Sequence, residues 1–283
     1  MDGLIQRFEG TSALKEFILH GVKRNGVTLG VGSFGRVEEV VIAGTKYAGK
    51  IWHQALMDPR NEGVGNMTRR FVTECQLMSQ ARHPNIVQFI GICFLEDQSS
   101  YPVLVMERLH TCLDSVLESK RTLVMGFKLQ VLLDILKGLN HLHNMNPLIV
   151  HRDLTTRNVL LNNDSLRAKI ADLGNARMIE PGKLSKTLSQ SPGTQVYMPP
   201  EATHIKPEYD ASLDMFSFGH LMLYVVIETF PYNLLPATYH DPKTYRLLPR
   251  SELERRDQYT SILYDKLGKK HIAVSIIERC LDI

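Results

Sequence analysis

The chain has 283 residues, of which 43% are hydrophobic and 22% charged, with a formal net charge of +3. That length suggests two domains or two lobes around a sizeable core. The mild charge lacks the strong basic stripe that nucleic acid demands, so no nucleic-acid partner is expected.

The opening "MDGLIQRFEG" carries Asp2 and Glu9 and no long apolar run, so it does not read as a secretory signal. The most apolar run, "LMLYVVI" at 221–227, is too short for a bilayer, so no membrane segment is expected in this chain. Cys75, Cys93, Cys112 and Cys280 form no CxxC pair. Reduced thiols in a cytoplasmic protein are the expectation.

The N-terminal part reads as β-structure. "GRVEEVVIAGTKYAGKIW" holds two runs rich in Val, Ile and Tyr, broken at Ala43-Gly44-Thr45, which signals a hairpin. "NIVQFIGICFLEDQSSYPVLVMERL" gives a second pair of runs around Glu96–Ser100. Between the hairpins, Phe71, Glu74, Cys75 and Met78 follow i, i+3, i+4, i+7, the spacing of one helix face. Glu74 therefore sits on the apolar face, where a carboxylate needs a partner.

Preceding this helix, "LGVGSFGRV" places Gly30, Gly32 and Gly35 where a backbone can approach phosphate closely. In a dinucleotide-binding fold such a loop opens a helix. Here it runs into Val37, Val40, Val41 and Ile42, which favours a loop between antiparallel strands. On the loop alone, an ordinary glycine-rich turn and a nucleotide loop are equally good readings. Lys50 lies on the second strand, on the same face as Ala48, and is the natural partner for Glu74.

Beyond Leu109 the pattern is mainly helical. Leu132, Ile135, Leu136, Leu139 and Leu142 line one helix face, and "DMFSFGHLMLYVVIETF" is apolar nearly all round, as a central buried helix would be. "HRDLTTRNVL" brings Asp153 and Asn158 into a loop that enters the strand-like run 159–161, and "KIADLGNARM" adds Asp172. Two carboxylates and a carboxamide are hard oxygen donors that suit Mg²⁺. Each acid taken singly reads as a turn or cap residue; with Lys50, Glu74 and the glycine loop, in this order, the set reads as chemistry.

In that combination the chain resembles a eukaryotic protein kinase catalytic domain, of the tyrosine-kinase or tyrosine-kinase-like branch, from about Leu29 to Leu281. The resemblance implies an α+β, bilobal fold. The small N-lobe, 1–107, would be an antiparallel β-sheet with one main helix. The larger, mostly helical C-lobe, 108–283, would carry the catalytic loop, the metal-binding Asp-Leu-Gly and the activation segment.

It further implies ATP and Mg²⁺ as cofactors and a protein substrate. Leu29, Gly30, Val31, Gly32, Ser33, Phe34 and Gly35 would cover the ATP phosphates, which Lys50, held by Glu74, would bind. Val37, Ala48, Met106, Glu107, Leu109 and Leu160 would surround the adenine. Asp153 would take the acceptor's proton, Arg157 would serve beside it, and Asn158 and Asp172 would hold Mg²⁺.

Departures from common kinase usage are few. Gly49 precedes Lys50 where Ile is commoner and is expected to loosen the strand. Leu173 replaces Phe, and Pro199-Pro200-Glu201 replaces Ala-Pro-Glu. Thr155 stands where serine/threonine kinases carry Lys, and Arg157 resembles the tyrosine-kinase loop, while Gly193-Thr194 resembles serine/threonine and tyrosine-kinase-like members. The acceptor hydroxyl is left open. Kinases usually continue past the end of this sequence into a helix whose Arg pairs with the equivalent of Glu201, so a longer parent with further domains is expected. Ser185, Thr187, Ser189 and Ser191 are candidate phosphorylation sites, with Arg152 as the phosphate's partner. The alternative reading is a catalytically weak or inactive kinase-fold scaffold that binds partners.

Overall fold

A computed structural model describes residues 12–32, 35–52, 64–94, 102–119, 122–162, 166–180, 185–186, 197–199, 208–234 and 252–281. The chain divides into two compact units, Met1–His110 and Thr111–Ile283. No helix among the described residues is long and apolar enough to cross a membrane.

In the first unit, β1 (Lys23–Gly32), β2 (Gly35–Ile42) and β3 (Thr45–Trp52) are followed by α1 (Val64–Gln80), then β4 (Phe89–Phe94) and β5 (Pro102–Glu107). The five strands form one antiparallel sheet in the order β1-β2-β3-β5-β4. Ala43 and Gly44, the two residues between β2 and β3, both have positive φ (48° and 84°). Such a two-residue turn matches the strand twist and sets the register. One face of the sheet is closed by Val40, Cys93, Val103 and Val105. Phe71, Cys75 and Met78 of α1 are buried, as their spacing demands.

The second unit begins with β6 (Thr111–Cys112), α2 (Leu113–Glu118), α3 (Met125–His143) and β7 (Leu148–Val150). A 3-10 turn at Thr156–Asn158 leads into β8 (Val159–Leu161) and β9 (Ala168–Ile170). A second 3-10 turn, Leu173–Asn175, precedes β10 (Arg177–Ile179); β11 (Ser185–Lys186) and β12 (Glu208–Tyr209) pair with each other. The remaining helices are α4 (Ser212–Ile227), α5 (Pro231–Leu234), α6 (Glu252–Leu267) and α7 (Ile272–Leu281).

Helix α4 is the centre of this unit. Nearly every residue from Leu213 to Val226 is buried, as expected of a helix without a polar face. Val131, Leu132, Ile135 and Leu139 of α3 and Ile277 of α7 belong to the same core. Gly219 permits the close approach of α7, since a Cβ there would lie 2.7 Å from that of Cys280.

Two ionic contacts, each with one buried partner, fix α3. Asp134, fully buried, accepts from Arg167 Nε (2.9 Å) and Nη2 (2.7 Å) and from the Ala168 amide (3.1 Å), tying the helix to β9. Lys128 pairs with Glu228 at 2.6 Å and donates to the Val226 carbonyl, at the end of α4.

Candidate functional site

In the first unit the register places several predicted residues on one face of the sheet. Val37 lies opposite Lys50, and Met106 lies opposite Ala48. Directly opposed residues in an antiparallel pair point to the same side, and Ala48 and Lys50 are two apart on one strand. The Lys50 Nζ donates to Glu74 Oε1 at 2.7 Å, with the side chains 11% and 1% exposed. The same ammonium stands 5.3 Å from the centroid of the Trp52 ring, an attraction that adds to the ion pair. The helical phase that put Glu74 on the apolar side of α1 is thus answered by a cation from β3.

Gly49, between Ala48 and Lys50, does not read as a weak point. A Cβ there would lie 2.8 Å from Val40 Cγ1 and 3.1 Å from Val103 Cγ1. The missing side chain is what lets those two residues close over the strand, so the expected loosening is replaced by tight packing. Gly35 is more constrained still: a Cβ would fall 2.1 Å from the Ile51 carbonyl oxygen. Leu29, Gly30, Val31 and Gly32 end β1 on an exposed stretch. Ser33 and Phe34 lie outside the described residues.

At the end of β5, Glu107 donates its amide to the Gln88 carbonyl (2.9 Å), and its carboxylate accepts from the Gln88 amide (2.6 Å). The next residue, Arg108, pairs at 2.6 Å with Glu39, a carboxylate only 1% exposed that Lys46 and Asn25 also contact. Leu109 follows, half-buried.

In the second unit, the loop carrying Asp153 hangs from α4. Asp214, fully buried in that helix, accepts from the amide of His151 at 2.8 Å and from the amide of Arg152 at 2.8 Å. His143, at the end of α3, completes the set at 2.8 Å. Arg152 has φ of 68°. A non-glycine residue in that region costs about 1–3 kcal/mol and persists only where surrounding bonds over-determine it. The two Asp214 bonds do so. His151 Nε2 bonds the Ala171 carbonyl at 2.9 Å, joining this loop to the one that bears Asp172.

The predicted polar residues of this unit come together by short links. Asn158 Nδ2 donates to the Asp153 carbonyl at 2.8 Å, and the Ala171 amide donates to the Asn158 carbonyl at 2.8 Å. Asp172 is left-handed (φ 62°) and caps the next turn, its Oδ1 accepting from the Gly174 amide at 3.2 Å. Asn175, which the sequence reading leaves without a role, donates from Nδ2 to Asp153 Oδ2 at 3.2 Å. Leu160 sits in β8, half-buried, opposite Cys112 and Lys169.

Arg157 is tied to α2: its Nε donates to Asp114 Oδ2 at 3.1 Å, and its side chain is 80% exposed. Asp114 also receives the Thr156 hydroxyl at 2.5 Å. A hydroxyl has a single proton, so Thr156 must accept from the Tyr197 hydroxyl, 3.1 Å away. The chain of bonds runs from Tyr197 through Thr156 to Asp114. Burial pushes the Tyr197 phenol well up, which keeps it a donor.

Asp214, His143, Asn175 and Asp114 are absent from the sequence reading. Asp214 had a visible signal, a carboxylate inside a helix apolar nearly all round; the reasoning applied to Glu74 covers it equally. Thr187, Ser189, Ser191 and Glu201 lie outside the described residues.

The donor set fits a hard divalent cation. With its nitrogen end on the Asp153 carbonyl, Asn158 has Oδ1 as its remaining acceptor, and Asp172 supplies a carboxylate. No group of three or more His, Cys, Asp or Glu placed to hold a metal ion occurs among the described residues. Mg²⁺ does not require one, because it commonly takes one or two protein oxygens with the rest from water and phosphate.

Residues 24–282 match the family model described as the protein kinase domain. The chain is 31% identical over 210 residues to the dual specificity protein kinase shkC of Dictyostelium discoideum, covering 72% of this chain and 39% of that protein. It is 32% identical over 169 residues to the serine/threonine-protein kinase TNNI3K of Homo sapiens (59% and 20%), and 33% identical over 222 residues to the serine/threonine-protein kinase VIK of Arabidopsis thaliana (77% and 48%). The chain thus spans between a fifth and a half of the length of these relatives.

Proposed function

Because this chain belongs to the protein kinase family, we propose that it transfers the γ-phosphoryl group of ATP to a hydroxyl of a protein substrate. The observation that carries the reading is the family's polar set on supported positions. Lys50 is held by Glu74 at 2.7 Å, and Asp153 is bound through its carbonyl to Asn158 and through its carboxylate to Asn175. The relatives bear serine/threonine and dual-specificity names, which puts Ser and Thr first among the acceptors, with Tyr next.

The roles follow from the chemistry. Phosphoryl transfer asks a protein mainly to align donor and acceptor and to neutralise charge. Residues 29–35 cover the phosphates with backbone, and the Lys50 ammonium, held by Glu74, binds them. Val37, Ala48, Met106, Glu107, Leu109 and Leu160 receive the adenine. Asp153 orients the acceptor hydroxyl and takes its proton. Asn158 Oδ1 and the Asp172 carboxylate hold Mg²⁺, which when bound offsets the phosphate charge. Arg157, fixed by Asp114, presents its guanidinium beside the acceptor.

The test is turnover of a degenerate peptide library by the purified chain with Mg-ATP. Phosphate on Ser, Thr or Tyr is expected, and Asp153→Asn should lower the rate by about 100-fold or more. Equal labelling by Asp153→Asn and the unaltered chain would overturn the reading. Absence of turnover with retained ATP binding would favour a scaffold.

A further inference from the structure

We propose that Asn175 is a positioning residue for phosphoryl transfer: its side-chain amide holds the Asp153 carboxylate and ties it to the loop that carries Asp172. The inference rests on the reading of Asp153 as the base.

Asn175 Nδ2 stands 3.2 Å from Asp153 Oδ2. An ionised carboxylate only accepts, so the amide can present only its NH₂ end, and its orientation is dictated. Asn175 is itself held firmly. Its carbonyl accepts from Arg152 Nη1 at 3.3 Å, and Arg152 is 2% exposed. It closes the 3-10 turn that starts from Asp172, where the Ala176 amide donates to the Leu173 carbonyl at 3.0 Å. Asp172 lies three residues before it, braced by the Gly174 amide.

Asp153 is held differently. Its main chain is gripped on both sides, by Asn158 at the carbonyl and by His151 Nδ1, which accepts from its amide at 3.3 Å. Those bonds act on the main chain, whereas the Asn175 amide acts on the carboxylate itself. One strut thereby couples the group that takes the proton to the turn that presents the other carboxylate. A side chain near leucine in volume would fill the space of Asn175 but hold nothing. An alignment error at a reacting group is multiplied in the rate, so the strut acts on kcat.

The test is a double-mutant cycle on the whole chain, measuring kcat and both KM values for Asn175→Leu, Asp153→Ala and the pair. Asn175→Leu is expected to lower kcat by about 10- to 100-fold, with KM for ATP and peptide within about threefold of the unaltered chain. In the Asp153→Ala background the acceptor oxygen is gone, so Asn175→Leu should lower the residual rate no further. A merely structural Asn175 would give the same factor in both backgrounds, and that result overturns the inference. Asn175→Asp keeps the shape, removes the donor and adds a like charge; a kcat equal to that of the unaltered chain also overturns it, even if Asn175→Leu does not fold. Full activity in Asp153→Ala would refute the base reading instead, whatever Asn175 does.

Discussion

Replacing Lys50 by Met tests the electrostatics of the first unit directly. Unit charges 2.7 Å apart attract by about 6 kcal/mol at an effective dielectric of 20. Taking two ions out of water costs several kcal/mol each. The intact pair is therefore close to break-even, and its removal as a pair should be nearly neutral. Loss of Lys50 alone is different, because it takes the cation from a Glu74 carboxylate that is only 1% exposed. Lys50→Met should cost about 3–5 kcal/mol, while Lys50→Met with Glu74→Leu should recover most of that. The chain has a single tryptophan, Trp52, in this same unit, so urea unfolding followed by its fluorescence reports on the right part. A single mutant as stable as the unaltered chain, or a double mutant no better than the single, would refute the reasoning.

Gly49→Ala should lose about 1–3 kcal/mol, because the new methyl meets Val40 and Val103 inside a filled core; a thermal melt checks it. The Glu228 carboxyl is pushed up by burial, but Lys128 and the Leu123 amide outweigh that and hold it below its ordinary 4.5. A depressed carboxyl contributes stability that is fully present above its unfolded pKa and is lost as the pH falls through its folded pKa. Glu228→Gln should therefore flatten the loss of stability below about pH 4.5, measured as melting temperature against pH, and leave the profile near neutrality with the same slope.

Much of this molecule was legible in the chain because its signals are local. The glycine loop runs into β-branched residues, so it had to open a strand rather than a helix. Glu74 interrupts an apolar face, so it required a cation. Helix α4 has no polar side, so it had to be central. What stayed hidden depends on partners far apart in sequence. Asp214 is visible as a carboxylate in an apolar helix, but its partners are amides 63 and 62 residues away, and no periodicity reports where a backbone amide of another loop will lie. Asn175 is the last residue of a turn whose left-handed start at Asp172 re-aims everything after it. Gly49 was misread for a related reason: a strand pattern reveals that a side chain is missing, but not that Val40 and Val103 come from neighbouring strands to occupy its space.

The anchoring of the Asp153 loop on Asp214 has a bearing on how sequence variants of this protein are interpreted. The same helix that fills the middle of the second unit also supplies the carboxylate from which that loop is suspended. A conservative hydrophobic swap on the far side of α4 is expected to shift the suspension point, which a kinase assay would register as impaired turnover. Tolerance to mutation along this helix therefore measures the fidelity of loop placement as much as the integrity of the interior.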